Sequence, residues 1–520
     1  MNANNRMVLN TTVMYGRLAI TMVVTLLSSR WVLMALGQED FGIYNLISGL
    51  LSMLMFLNLT MATASQRFLS FALGKGDRQL IFDTFYYSCA LHFLIGVIIV
   101  LGIEIIGQLL LQTVLQVPDG KMYLAIFCLH SLAVSTFFTV ISVPYNAVLI
   151  SHENILFVAI VEILSAISKL VAAIILLNYD GERLKLYALI MAGIPICQSI
   201  IYRIYCERHY KETKIKIRKI KDYSLFRQFT AYAGWNLIGS ISSLLRTQGV
   251  SMLLNSFHGV AMNAAYGIAT QVKGQFSHFS SSIVTATRPQ IVKSEGMCNR
   301  QRVHSLSAMT CKTTFMLLSM LSVPLILEMP YVLQLWLKDV PDYAVSFTRL
   351  ILIINLLFQF AVGLSMPIES VGKIKSLQIW VGGLHFVVLP IGYIMLKSDF
   401  SPESVFVMVA IEESVGIVLR MIISRKVTGL SISGFITNTL APSVISLLVL
   451  FCVAYVSQQI INEGLLRLCV ICVISMSYTL FIGYNFVLNV FERRKIDEIV
   501  GKLVIKIKKM KPLNCVWLHK

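Results

Sequence analysis

Ionisable side chains inside long apolar stretches are the first candidates for chemistry in this sequence. The basic ones are Arg17, Arg30, Lys169, Arg246, Lys273, Lys312 and Arg349; the acidic ones are Glu104, Glu162, Glu328, Glu369, Glu412 and Glu413. Each would cost about 2.5 to 3.5 kcal/mol at the centre of a membrane-inserted helix, so each should face water or a partner. Arg17, Arg246 and Lys273 lie deepest. A guanidinium keeps its charge in a low dielectric and its fork can hold two phosphate oxygens at once, so these residues suit an anionic, phosphate-bearing ligand. The competing expectation is that they pair with intramembrane acids. Glu162 and Lys169 are seven residues apart, two turns along one helical face, and could pair or serve as an ion-coupling site. Arg30, Lys312, Arg349, Glu328 and Glu369 fall near the ends of their stretches, where long side chains can reach the interface.

Other reactive types form no constellation. His92, His130 and His385 are single histidines in apolar runs without a second ligand at i+3 or i+4, which points to hydrogen-bonded packing and to no metal site. Cys469 and Cys472 form a CxxC embedded in apolar sequence with no further ligand. Glu39-Asp40 precedes a helical pattern and reads as an N-terminal cap. Gly74-Lys75-Gly76-Asp77 lacks the spacing of a phosphate-binding loop and reads as a turn. No cofactor is expected.

The elements that must position these residues are long apolar helices. Of 520 residues, 56% are hydrophobic and 13% charged, and the mean hydropathy is +0.75. No stretch of ordinary soluble composition is long enough to build a domain. About fourteen spans are expected, near 10–36, 43–72, 83–113, 121–150, 155–178, 184–206, 228–255, 261–291, 305–336, 344–371, 376–396, 403–424, 434–457 and 465–490. The first is too long for a signal-peptide core. Sorting Lys and Arg by loop puts about 31 on the side shared with the termini and about 6 on the other, which predicts cytoplasmic termini. The net charge of +18 therefore speaks of orientation and not of nucleic acid. The run Lys214-Ile-Lys-Ile-Arg-Lys-Ile-Lys221 and the basic, amphipathic tail after Glu492 suit anionic lipid on the inner leaflet.

The two sides of that basic linker resemble each other. Phe41-Gly42-Ile43-Tyr44 with Gly49 matches Tyr266-Gly267-Ile268-Ala269 with Gly274 at a constant offset, and Ala62, Thr63 and Gln66 match Ala286, Thr287 and Gln290 one residue out of register. Both copies fall on the second span of a half, and both spans carry polar stripes: Asn45, Ser48, Ser52, Thr63 and Gln66 on one; Thr270, Lys273, Ser277, Ser281, Thr285 and Arg288 on the other. Interhelical hydrogen bonding or a hydrated cavity would explain such stripes; Lys273 favours the cavity. Repeated halves are a transporter device, since one bundle can rock against the other around a mid-membrane site.

A first span ending in Leu36-Gly37-Gln38-Glu39-Asp40-Phe41-Gly42-Ile43-Tyr44 is followed by a polar second span ending in Ser65-Gln66-Arg67-Phe68. Asp222-Tyr223-Ser224-Leu225-Phe226 and Gly234-Trp235-Asn236 enter the seventh, and Arg288-Pro289-Gln290 ends the eighth. With the span count, this resembles the O-antigen and capsular polysaccharide flippases (Wzx-like), in the superfamily shared with multidrug and toxic compound extrusion (MATE) exporters and lipid II flippases. The resemblance implies an all-α integral membrane protein with two six-helix lobes in a V, 1–206 and 228–424, joined by the linker 207–227, then two further helices within 425–490 and a cytoplasmic tail, 491–520. It implies a bacterial inner-membrane transporter, not an enzyme, that turns a polyprenyl-pyrophosphate-linked oligosaccharide from the cytoplasmic to the periplasmic leaflet, with other polysaccharide-assembly membrane proteins as partners. Arg17, Arg30, Gln66, Arg246, Gln271 and Lys273 are the cavity residues expected on this reading. A multidrug antiporter of the same superfamily is the alternative, and would need buried carboxylates to bind cations. A glycan polymerase or ligase is a third, disfavoured by outer loops of only about 4 to 10 residues.

Overall fold

The computed structural model describes residues 3–113, 120–214, 223–337, 339–489 and 492–493. The basic run at 215–221 and the tail from 494 onward, expected to lie on anionic lipid, fall outside the described residues.

Helices are the only regular structure among the described residues. They are α1 (Ala3–Lys75), α2 (Arg78–Thr113), α3 (Met122–Ser151), α4 (Ile155–Leu177), α5 (Arg183–His209), α6 (Tyr223–His258), α7 (Val260–Gly296), α8 (Arg300–Leu337), α9 (Ala344–Val371), α10 (Lys375–Lys397), α11 (Glu403–Thr428), α12 (Ile432–Phe435), α13 (Ala441–Ile460), α14 (Leu465–Tyr478) and α15 (Tyr484–Val487). α1 is two spans joined at Gly37, whose φ of 76° and ψ of 174° lie outside any helix and in a region essentially reserved for glycine. A π-turn, Ile436–Leu440, welds α12 to α13, and another, Thr479–Gly483, welds α14 to α15. Counted this way the described chain has fourteen long helical runs, the number expected from the sequence.

Length and apolar composition alone select ten of these runs as able to cross a membrane. The second limb of α1, α6, α7 and α11 are not among them; the last three carry the serines, threonines, arginines, lysine and glutamates from which the site is built. Elsewhere the exterior is apolar: Ile105, Leu335, Ile460 and Leu466 are 68%, 67%, 76% and 72% exposed, as suits a lipid surround.

By packing, the chain divides into two units. Asn10–Ile241 with Val292–Asn299 forms, among the described residues, an N-terminal unit; Ser242–Ile291 with the described residues from Arg300 onward, and residues 3–9 at the start of α1, form a C-terminal unit. The boundary cuts through α6 and α7, so the first turns of α6 and the last turn of α7 belong to the N-terminal unit.

In the N-terminal unit α3 packs against α2 and α5, and α5 against α4, around Ile47, Ile99, Cys128, Leu129, Leu176 and Ala188. Phe68 of α1 stacks on Phe229 of α6 at 4.9 Å, and Lys293 bonds Glu153 at 2.6 Å. Gly74 lets the chain at Lys293 come so close that a Cβ there would sit 2.3 Å from the Lys293 carbonyl oxygen. Lys121, just before α3, bridges Asp40 at 2.7 Å and Glu39 at 3.0 Å. The hydrogen bond to Asp40, then that to Glu39, raises the Lys121 pKa. The acidic pair expected to cap a helix thus also ties the start of α3 to the second limb of α1. Glu212, after α5, accepts from His152 at 2.5 Å. Burial alone would raise its carboxyl pKa, but that bond with a backbone N–H and the His152 charge leave it below its ordinary value.

In the C-terminal unit α9 is the central helix, packed against α8 and α11, with α10 on α11 and α13 and α14 on α8. Leu318, Phe347, Leu352, Phe360 and Val405 fill its core. Leu450, Ala454 and Ile471 seat the last helices on Val323 and Leu327 of α8.

Candidate functional site

The C-terminal unit holds a line of five buried ionisable side chains drawn from three helices. α11 supplies Glu412 and Glu413, each with a side chain only 1% exposed, and Arg420, two turns on from Glu413 and therefore on its face. Arg246 of α6 reaches both acids through Nη1, 2.5 Å from Glu412 Oε2 and 3.3 Å from Glu413 Oε2. His385 Nδ1 of α10 lies 2.8 Å from Glu412 Oε1, and Arg420 Nη1 donates to Glu413 Oε1 at 3.3 Å. The sequence runs spatially as His385, Glu412, Arg246, Glu413, Arg420. The basic residues on both sides offset the cost of burying the adjacent carboxyl groups of Glu412 and Glu413 inside a membrane.

Lys273 of α7 stands close enough to sense Arg246 and Glu413 electrostatically, yet it has no carboxylate partner among the described residues. It is partly buried. Arg246 engages only one nitrogen; its Nε and Nη2 have no partner among the described residues. Two carboxylates therefore meet two guanidinium groups and one imidazole, and the Lys273 amine stands beside this set as a further basic group. Gln271, on the same helix as Lys273, is exposed. Nearer the end of α7, Arg288 pairs with Glu369 of α9 at 3.3 Å.

In the N-terminal unit Arg17 of α1 pairs with Glu162 of α4. The structure thus gives Glu162 to Arg17 and not to Lys169, which is exposed and has no carboxylate partner among the described residues. Arg30 is likewise exposed without such a partner. Gln66 is partly buried, its Nε2 without a hydrogen bond.

Several residues expected to reach the interface are instead consumed inside. Glu328 is fully buried against Arg467 at 2.7 Å, and Lys312 against Glu492 at 2.9 Å. Arg349 donates from Nε to the Ile326 carbonyl at 2.7 Å and from Nη2 to that of Leu327 at 3.3 Å. The reason is legible: Pro330 lacks the N–H that would have met Ile326, and α8 bends at Glu328, so Arg349 takes the freed carbonyls. Sequence reasoning treated these charges one helix at a time, and their partners lie on other helices.

The comparisons with known proteins agree with this architecture. The MatE family model matches residues 16–175. Comparison with curated proteins gave no sequence match. Among solved structures, the chain is similar to an outward-facing multidrug resistance MATE family transporter of the MOP superfamily, with a TM-score of 0.69 and 14% identity over 82% of this chain and 96% of that one. It is similar to a MATE protein in its straight conformation, with a TM-score of 0.69 and 15% identity over the same shares, 82% and 96%. A third is a MOP superfamily transporter from Pyrococcus furiosus, whose binding pocket is described as having reversed polarity suggesting a different function; the TM-score is 0.69, the identity 14% and the shares again 82% and 96%. The chain thus carries a MatE segment in its N-terminal half, and its described helices have the fold of the MATE transporters of the MOP superfamily.

Proposed function

We propose that this protein is a multi-pass membrane transporter, not an enzyme, that flips a polyprenyl-pyrophosphate-linked oligosaccharide from the cytoplasmic to the periplasmic leaflet of a bacterial inner membrane. The observation that carries the reading is Lys273, a cation within the transmembrane region with no carboxylate partner among the described residues, beside an arginine whose Nε and Nη2 are still unused. A pyrophosphate could take Lys273 and the open edge of Arg246 without displacing Glu412 or Glu413, and the polar stripe of α7, with Gln271 beside it, would meet hydroxyl-rich sugar. The reading assigns no bond-making step: binding in one orientation and rocking of the halves would move the headgroup between leaflets. Arg17, Arg30 and Gln66 remain proposed contributors from the N-terminal half, with Arg17 sharing its charge with Glu162. The Glu162 and Lys169 pairing considered for ion coupling would have to form in another state of the cycle. The basic linker and tail are proposed to rest on anionic lipid, and other polysaccharide-assembly membrane proteins to act beside the transporter.

A second reading has its own support. Buried carboxylates are what a multidrug antiporter would use for cations, and Glu412 and Glu413 are such carboxylates in one unit. Their saturation by Arg246, His385 and Arg420 argues against a free cation site there, and the MATE likeness itself favours neither cargo.

Flipping of a fluorescent polyprenyl-pyrophosphate oligosaccharide in proteoliposomes tests this. Lys273→Ala, at matched incorporation, is expected to lower the rate at least about tenfold, the worth of one charge-assisted phosphate contact. Transport of cationic dyes with no movement of the lipid-linked sugar would replace the flippase by the antiporter.

A further inference from the structure

A cavity of about 260 Å³ lies in the C-terminal unit, away from the Arg246 cluster, where α8, α9, the α12–α13 junction and the chain following α15 come together. Its wall includes Ser307, Lys312, Asn438, Thr439, Asn489 and Glu492. Lys312 and Glu492 are a fixed pair of opposite charges, their side chains 2% and 3% exposed and 2.9 Å apart. The carboxylate is aimed: Glu492 Oε2 accepts the Asn489 backbone N–H at 2.8 Å, and Asn489 Oδ1 accepts the Glu492 N–H at 2.8 Å. These bonds use one oxygen of Glu492 and one N–H of Lys312, so Oε1 and two ammonium hydrogens have no partner among the described residues.

A purely structural ion pair has no use for a cavity beside it, since interiors close-pack and such pairs need all their remaining hydrogen bonds met. Here two further features point to a ligand. Ser307 is 3% exposed, and its hydroxyl oxygen is buried without any hydrogen bond. Asn438 and Thr439 belong to the π-turn Ile436–Leu440, a form that leaves backbone groups out of the regular ladder and recurs at functional sites.

We infer that this cavity binds the phosphoethanolamine headgroup of a membrane lipid, its phosphate on Lys312 and its ammonium on Glu492 Oε1. Paired charges nearly cancel at a distance, so they do not select a net anion or cation; a few ångströms away they match a zwitterion whose poles are as closely spaced. Ser307 and Asn438 supply hydrogen bonds to the phosphate oxygens. A bilayer source fits the position. Pro367, in the wall, is in the last turn of α9, Ser431 caps the start of α12, and the helix leading to Asn489 exposes Phe481 and Phe486 by 73% and 53%. Helix ends that follow on from lipid-facing apolar side chains lie at the edge of the hydrocarbon slab, the level of headgroups. A quaternary ammonium has no N–H to give Glu492, so choline lipids should bind worse.

The test is thermal unfolding of the purified full-length protein in detergent with added phosphatidylethanolamine, phosphatidylcholine or phosphatidylglycerol of one acyl composition, and with soluble O-phosphoethanolamine. The ethanolamine lipid is expected to raise the Tm at a concentration about tenfold lower than the other two. Ala308→Trp, which fills the cavity and keeps both charges, should abolish that increment. Should that variant fail to fold, Lys312→Met with Glu492→Met, which removes both charges together, is expected to lose it as well. Equal or stronger stabilisation by phosphatidylglycerol, no lipid dependence, or an increment that survives either folded variant would overturn the site. An equal response to soluble O-phosphoethanolamine would overturn the bilayer source.

Discussion

Arg246 sits between Glu412 and Glu413 as their shared counter-ion, and this fixes how its substitution must be interpreted. Arg246→Ala would leave Glu412 with His385 alone and Glu413 with Arg420 alone in a buried setting. The expected loss is about 3 to 5 kcal/mol of stability, seen as a lowered Tm in detergent. Arg246→Ala combined with Glu412→Gln should recover much of it, because the remaining Glu413–Arg420 pair is balanced and glutamine can still bond His385. No recovery would mean that the cluster holds α6, α10 and α11 by some interaction other than charge balance. Lys273→Ala strands no carboxylate and is expected to leave the Tm nearly unchanged, so a transport defect there speaks to cargo. In the sequence Arg246 and Lys273 look alike, two cations in apolar runs. What separates them is whether a glutamate 166 residues away reaches one and not the other.

α8 shows how an element's own irregularity recruits a neighbour. Pro330 frees the Ile326 carbonyl, and Arg349 of α9 answers it. Arg349→Met should therefore cost about 1 to 3 kcal/mol, the penalty of the Ile326 acceptor left without a donor, since the Leu327 carbonyl keeps its 3.1 Å bond from Gln458. Pro330→Ala restores the N–H that Ile326 lacks, so in a double-mutant cycle the cost of Arg349→Met should shrink when Pro330 is absent. Additive effects would show that Arg349 acts through something other than those carbonyls. The helices themselves were open to sequence reasoning because their signal is local: a run of apolar residues long enough to cross a bilayer has few other fates. The join within α1 at Gly37 was visible as a glycine between two spans, but that no loop separates them depends on φ and ψ alone. The π-turns at Ile436–Leu440 and Thr479–Gly483 had no sequence signal that hydropathy could carry.

For the molecule as a whole, the asymmetry of Lys and Arg predicts which face of every connection meets the cytoplasm. Cys298, exposed in the connection between α7 and α8, should react with a membrane-impermeant maleimide only from the cytoplasmic side in a variant where it is the sole cysteine. An added Asp180→Cys, between α4 and α5, should react from outside. The reverse pattern in intact cells would overturn the orientation and with it the proposed direction of flipping. By itself the sequence determined an all-α membrane protein, since most of its fourteen helical runs are set by their own hydropathy and all of them by the bilayer's refusal of unpaired backbone groups. It also marked the charges that needed an explanation. Only the tertiary structure decided which of them neutralise one another: Arg17 with Glu162, Arg246 with Glu412 and Glu413, Lys312 with Glu492, Arg467 with Glu328. Ion pairing falls off over a few ångströms, and most of these partners lie well over a hundred residues apart in the chain, so no local pattern could have named them.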